Sequence, residues 1–369
     1  MATSPDTLLN SSKQTIIIDL SSKNAGPALA TLTTQRRRKK VKNVNIFRRY
    51  GTCMQYDVRN HNATFDLLNI FRALGKLPNI TSLTMDLGDL LLPVDALTTL
   101  LLYTKELRYL RLLNLTLCGN YFDHLGLETT LAEHKSIRCV NLDHCRGFAA
   151  VQALSTKPET MYKLRIKGSQ LSQNGKWGGL SLIHICQQYP ELQVLSLHDV
   201  PDLGDKQITM LAQTLESESN RLTSFHLTAK NAGQVAGEAV AEMFRSNKTI
   251  TDASLNLGLP WKKCGSSMAS VIKANTKLSK LSIRLCGTDQ DGADMIGHII
   301  EITAALKSVS EKTNLRQIHL LVDLKLMQKQ GLDKEIVNIF ESVLDENNTL
   351  EEIKILDENN SRKELPLPE

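Results

Sequence analysis

Apolar residues recur along the chain in two alternating patterns. In one, they stand three or four apart, which predicts a helix; the other is a short L-x-x-L-x-L run whose end alternates with period two, which predicts a strand. The clearest example lies between Gly233 and Cys286, where one unit occurs twice at an offset of about 28 residues, a length at which repeat architectures recur. In the helical half, Gly237 answers to Gly265, Ala241 to Ala269, Phe244 to Ile272 and Asn247 to Asn275. In the strand half, Ile250 answers to Leu278, Ala253 to Leu281, Leu255 to Ile283 and Gly258 to Cys286. The Asn stands where the helix must stop, and Asn tolerates the left-handed backbone of a helix C-cap better than most residues.

The strand pattern continues in both directions. Thr15–Leu20 reads as a first strand, placed in an N-terminal cap. Val41-x-x-Val44-x-Ile46 follows the basic run Arg36–Lys40, and Ile80-x-x-Leu83-x-Met85 follows a helix over Phe65–Lys76. Then come Leu107-x-x-Leu110-x-Leu112, Ile137-x-x-Val140-x-Leu142-x-x-Cys145, Met161-x-x-Leu164-x-Ile166, Leu192-x-x-Leu195-x-Leu197 and Leu222-x-x-Phe225-x-Leu227. Beyond the paired units stand Leu315-x-x-Ile318-x-Leu320 and Leu350-x-x-Ile353-x-Ile355. A register running from Leu110 to Cys118 fits its stretch almost as well as the one starting at Leu107. Helices are expected between these strands, near Val94–Lys105, Tyr121–His134, Phe148–Thr156, Gly178–Gln188, Lys206–Glu216, Gly292–Ser310 and Asp333–Asp345. Spacing from Ile80 onward is about 24 to 31 residues, widening to about 35 to 37 near the end, which makes about ten units.

This strand–helix unit resembles the leucine-rich repeat in its long, ribonuclease-inhibitor-like form. The resemblance covers most of Val41–Ile355. It implies a right-handed α/β solenoid, a horseshoe with a parallel sheet on its concave face and helices on its convex face. The position that such repeats fill with Asn or Cys holds Cys145 and Cys286 here, but Ser169, Val200, Lys230 and Asp323 elsewhere. The organisation expected is an N-terminal cap over 1–62, repeats over 63–356 and a frayed polar tail over 357–369. Because each repeat buries its apolar face only against its neighbours, 369 residues need not split into separate cores.

Composition agrees with a folded globular chain, at 41% hydrophobic and 22% charged residues. The opening residues Met1–Asp6 lack a charged stretch followed by an apolar core, so no secretory signal is expected there. No apolar run approaches the roughly 20 residues that a membrane-spanning helix needs. The seven cysteines include no C-x-x-C pair, so neither a disulfide framework nor a zinc site is expected. The compartment expected is the cytoplasm, with the nucleus or delivery into a host cell left open. The triplets Asn79-Ile-Thr81, Asn247-Lys-Thr249 and Asn347-Asn-Thr349 precede strands, where Asn and Thr suit a turn.

In such a repeat the L positions point inward and the x positions outward. The expected binding face therefore carries Tyr109, Arg111, Asn141, Asp143, Lys163, Arg165, Lys167, Ser196, His198, His226, Asp252, Asn256, Lys280, Arg284 and His319. Further outward positions are Ser82, Thr84, Asp86, Ser224, Ser254, Ser282, Gln317, Glu352 and Lys354. Arg111 with Lys163, Arg165 and Lys167 forms the densest cluster of like charge, read either as a patch for an anionic partner or as a solvated face. His198, His226 and His319 share the face but sit on loosely aligned repeats, so no metal is expected. Trp177 and Trp261 fall near helix starts, read as packing on loops or as partner anchors. Charge is polarised: residues 1–60 are rich in Lys and Arg, whereas acids dominate from Leu332 onward.

The sequence contains no G-x-x-x-x-G-K-[ST], H-E-x-x-H, G-x-S-x-G or G-x-G-x-x-G. No catalytic residue and no cofactor are expected. The function expected is a non-enzymatic scaffold, a monomer that binds a protein through its strand face. The alternatives are a nucleic-acid-associated protein using Arg36–Lys40 and Lys163–Lys167, or a pathogen effector acting on a host small GTPase or other signalling protein. A GTPase activator of this repeat type would need a catalytic Arg, for which Arg111 is a candidate by position only.

Overall fold

The computed structural model describes residues 7–10, 14–20, 41–47, 70–147, 161–170, 178–188, 191–216, 221–285, 293–309, 313–323, 325, 333–347, 349–357 and 360–365. The chain forms two compact units, Met1–Tyr189 and Pro190–Glu369. In the first, β1 (Thr7–Asn10) pairs antiparallel with β2 (Thr15–Asp19). Next in the sheet come β3 (Asn43–Phe47), β4 (Ser82–Pro93), β5 (Tyr109–Cys118), β6 (Cys139–Asp143) and β7 (Lys163–Lys167), each parallel to the strand before it. Its helices are α1 (Val94–Tyr103), α2 (Tyr121–Glu133) and α3 (Gly178–Gln188), besides helical residues 70–75.

The second unit alternates strand and helix as far as β13: β8 (Val194–His198), α4 (Asp205–Leu215), β9 (Ser224–Ala229), α5 (Gln234–Ser246), β10 (Asp252–Leu257), α6 (Cys264–Ala274) and β11 (Lys280–Arg284). It ends with α7 (Ala293–Ser308), β12 (Gln317–Val322), α8 (Asp333–Glu346), β13 (Glu352–Asp357) and β14 (Asn360–Leu365). Strands β8 to β13 are parallel in chain order, and β14 returns antiparallel on β13. Parallel strands, with α1 and α2 between neighbours in the first unit and α4 to α8 in the second, make these units α/β solenoids of leucine-rich-repeat fold.

The alternation that predicted the strands is the one the core uses. Along β3, β6 and β11 buried residues alternate with half-exposed ones, and Val44, Leu83, Leu110, Val140 and Leu164 stack in one buried row. In the second unit Leu195, Phe225, Ala253, Leu281, Ile318 and Ile353 form the corresponding row. Helices close the other side, α4 on α5, α5 on α6, α6 on α7 and α7 on α8. Phe225 of β9 meets Phe244 of α5 edge to face at 6.1 Å between ring centroids, a geometry favoured by the aromatic quadrupole.

The equivalence of Gly237 and Gly265 has a steric cause. A Cβ on Gly237 would lie 2.4 Å from the Trp261 ring, and one on Gly265 would lie 2.5 Å from the His298 backbone. Both are places where the next repeat presses onto a helix. Trp261 is accordingly buried, at 3% exposed, which favours its packing reading; Trp177 lies outside the described residues.

The helix-ending Asn acts otherwise than expected. Asn247 and Asn275 have extended backbones, with φ of −67° and −88°, not the left-handed conformation. Their side chains do the capping. Asn247 Oδ1 accepts from the Thr249 and Ile250 N–H groups, both at 2.8 Å, and its Nδ2 donates to Leu215 O, the last helical residue one repeat earlier. Asn275 repeats this, accepting from Lys277 and Leu278 and donating to Phe244 O and Asn247 O. Asn347 does the same with Thr349, Leu350 and Leu306 O. Each Asn thus ties a helix end to the next strand and to the preceding repeat, satisfying carbonyls that a helix end leaves open. His134 stands at the same position in the first unit, its Nε2 3.0 Å from Thr104 O.

Three further expectations resolve. Strand β5 runs through both registers considered: Tyr109–Leu113 pairs with β6 and with Ser82–Asp86, while Leu115–Cys118 pairs with Leu90–Pro93 past an irregularity. Strand β2, within the expected cap, pairs parallel with β3 along its whole length. Within the expected tail, 360–365 forms β14; its sequence, Asn360-Ser-Arg-Lys-Glu-Leu365, has no apolar alternation to reveal a strand held by backbone pairing with β13. The run Arg36–Lys40, Cys286 and the helix expected near Phe148–Thr156 lie outside the described residues.

Candidate binding face

The outward strand positions of the first unit fall into rows set by the ladder. Asn43, Ser82, Tyr109, Cys139 and Lys163 form one row; Asn45, Thr84, Arg111, Asn141 and Arg165 form the next. Phe47, Asp86, Leu113, Asp143 and Lys167 form a third. The structure therefore gathers Tyr109, Arg111, Asn141, Asp143, Lys163, Arg165 and Lys167 on three neighbouring strands, as the L-x-x-L-x-L reading expected.

Their charges are not equivalent. Lys167 Nζ lies 3.5 Å from Asp143 Oδ1, which also meets His144 Nδ1 at 2.6 Å. Lys167 is thus partly neutralised and stands apart from the cationic cluster in which the sequence placed it. Arg111 and Arg165 are exposed and flank Asn141 in one row. Just before the strands, exposed Arg108 and Arg138 are stitched together by backbone bonds, Arg138 N donating to Arg108 O at 2.9 Å and Tyr162 N to Arg138 O at 2.9 Å. Among the described residues none of Arg108, Arg111, Arg138, Lys163 and Arg165 enters an ion pair.

Arg108, Arg138 and Tyr162 fall outside the expected outward set, which takes the second x of L-x-x-L at Tyr109 and Lys163 and neither x in Ile137-x-x-Val140. The signal was the first x, which sits at the strand-entry edge. Two tyrosines mark that edge. Burial pushes the Tyr162 phenol up, and the neighbouring Tyr109 adds to the shift. Cys139 lies in the row between Tyr109 and Lys163; burial pushes its thiol up, and Lys163 draws it partly back.

The face of the second unit is polar; its histidines, Arg284 and Glu352 meet partners within the unit, whereas Asp252 Oδ1 is buried without one. Ser196, only 6% exposed, meets His198 Nε2 at 2.8 Å, and His198 Nδ1 meets Thr228 Oγ1 at 3.1 Å. His226 lies 2.7 Å from Ser224 Oγ and 3.7 Å from Asp252. Arg284 donates to Asn256 Oδ1 and Leu257 O. His319 meets Glu352 at 3.1 Å, and Lys354 meets the same carboxylate at 2.8 Å. Hydrogen bonds from Lys354 and then His319 hold Glu352 below the usual carboxylate range. Lys280 stands opposite Asp252 on the neighbouring strand. The three histidines are thus engaged separately on β8, β9 and β12. Among the described residues no group of three or more His, Cys, Asp and Glu could hold a metal ion.

On the core side, Cys145 is buried, donates from Sγ to Leu112 O at 3.3 Å and is pushed up to about 12 by burial. Ser169, at the equivalent position one repeat on, accepts at Oγ from the Cys145 N–H and donates to Lys167 O. A Ser replacing Asn or Cys therefore keeps the inter-repeat link. No described helix is long and apolar enough to cross a membrane.

No family model matches the sequence, and no curated protein matches it. Among solved structures, the chain is similar to the leucine-rich repeat-containing protein LegL7 of Legionella pneumophila, at 14% identity and a TM-score of 0.44, over 94% of this chain and 92% of that one. It is also similar to a protein of Bacteroides fragilis, at 9% identity and a TM-score of 0.31, over 82% of this chain and 67% of that one. At such values neither likeness carries an argument, and the fold assignment rests on the repeats of this chain itself.

Proposed function

We propose that this protein is a non-enzymatic scaffold that binds a protein partner through the strand face of its first unit. The observation behind the reading is the set Arg108, Arg111, Arg138, Lys163 and Arg165, cations left without ion-pair partners among the described residues beside an exposed Tyr109. Cations of like sign held together repel, and a complementary surface relieves the repulsion and speeds encounter. Arg and Tyr are also the residue types that dominate interface energetics. The second unit, where His226, Arg284 and Glu352 of the strand face meet partners within the unit, serves in this reading as structural continuation. The scaffold is read as a cytoplasmic monomer.

The test is affinity capture by the intact chain from cell lysate, beside two charge reversals of similar size. Arg111→Glu with Arg165→Glu changes the strand face, whereas Lys273→Glu with Arg245→Glu changes the helix layer. Loss of the captured protein with the first pair and retention with the second is expected. The opposite result would place binding on the helices and overturn the reading.

A further inference from the structure

The patch on β5–β7 also limits what can lie on it, and we infer that its partner presents a short, extended, acidic polypeptide segment. This inference rests on the scaffold reading and specifies its ligand. The outward and edge positions of these three strands carry Arg108, Arg111, Arg138, Lys163, Arg165 and Lys167 against Asp143 alone. Neighbouring strands are spaced by about 4.8 Å, so β5 and β7 hold Arg111 and Arg165 roughly 10 Å apart. In an extended peptide, side chains on one face recur about every 7 Å. Two or three carboxylates so spaced lie within reach of both guanidinium groups and of Lys163, and guanidinium grips carboxylate through paired N–H bonds.

The boundaries of the patch argue against a nucleic acid. Toward β3 and β4 the two outward rows turn uncharged, through Asn43, Asn45, Ser82 and Thr84, and the strand-entry edge passes from Arg108 through Thr81 before it reaches Lys42. Along the C-terminal edge stand Asp86, which accepts from Asn114 Nδ2 at 3.0 Å, and Asp143. A backbone carrying one negative charge per roughly 1.7 Å of duplex axis would overrun this area and meet both acids. Tyr109 points the same way. At 45% exposed, in the row that also holds Lys163, it offers an amphipathic ring beside the cations. That combination is the chemistry of protein interface centres.

Fluorescence anisotropy with the full chain tests this. One probe is a fluorescein-labelled twelve-residue peptide alternating Glu and Ala; the other is a single-stranded oligonucleotide of matched charge. The peptide is expected to bind the natural chain. Arg111→Ala with Arg165→Ala should weaken it by about tenfold or more, while Lys280→Ala on the second unit leaves it unchanged. Unchanged circular dichroism of each variant keeps the comparison clean, since all three residues are at the surface. Absence of peptide binding, or binding indifferent to the arginine pair, overturns the inference. So does an oligonucleotide that binds through the same arginines more tightly than the peptide and is released steeply by salt. If the peptide fails but lysate capture still depends on Arg111 and Arg165, the ligand chemistry is wrong and the scaffold reading stands. If capture is also indifferent to them, both fall.

Discussion

At the scale of single residues, the asparagines at the helix ends show how one side chain can join three pieces of backbone. Asn275 is 3% exposed and bridges its own turn, the end of α5 and the Asn247 carbonyl. Asn275→Ala would leave buried N–H and C=O groups without partners, each costing about 1–3 kcal/mol. The expected loss is about 2–4 kcal/mol in chemical denaturation, and a loss below about 0.5 kcal/mol would show that water replaces the amide. The sequence made the position visible, through the repeated Asn before Ile250, Leu278 and Leu350, but suggested the wrong mechanism. Backbone propensity is a local property, whereas the bonds that select Asn reach back a whole repeat, to Leu215, Phe244 and Leu306. Nothing in a single repeat displays that reach.

At the scale of elements, the L-x-x-L-x-L pattern was legible because burial here depends on a strand's own alternation. Leu255 is 1% exposed and Ile283 is fully buried, while Ser254 and Ser282 stand outward between buried neighbours. Leu255→Ala and Ile283→Ala should each cost about 2–5 kcal/mol, and Ser254→Ala less than about 0.5 kcal/mol, read as shifts in urea midpoint. Equal costs for the leucine and the serine would mean the strand faces are reversed. Other elements carried weaker signals. Strand β14 lacks apolar alternation, so only the open edge of β13 specifies it. The patch was half legible: Arg111, Lys163 and Arg165 followed from the outward positions, but Arg108, Arg138 and Tyr162 enter through the ladder at strand entry. Lys167 left the free cluster because Asp143, two residues from Asn141 on the adjacent strand, lies opposite it.

At the scale of the molecule, each unit is a one-dimensional stack in which a repeat contacts its neighbours, and the consequences divide by side. The inner side of the sheet and the helices carry stability through Leu, Ile and the Asn links. The outer side of the sheet is free of that duty and can vary in charge from one repeat to the next. In the second unit that freedom is spent on internal pairs, such as His319 with Glu352 and Arg284 with Asn256. In the first it leaves Arg108, Arg111, Arg138, Lys163 and Arg165 unpaired among the described residues. The proposed binding surface is therefore the strand face of the first unit. Photo-crosslinking with a benzophenone amino acid, placed in turn at Thr84, Asn141, Ser282 and Lys273, tests this assignment most directly. The partner is expected to crosslink from Thr84 and Asn141 on the first unit's strands and not from Lys273 on α6 or Ser282 on β11. Crosslinks from Lys273 with silence at Asn141 would contradict it.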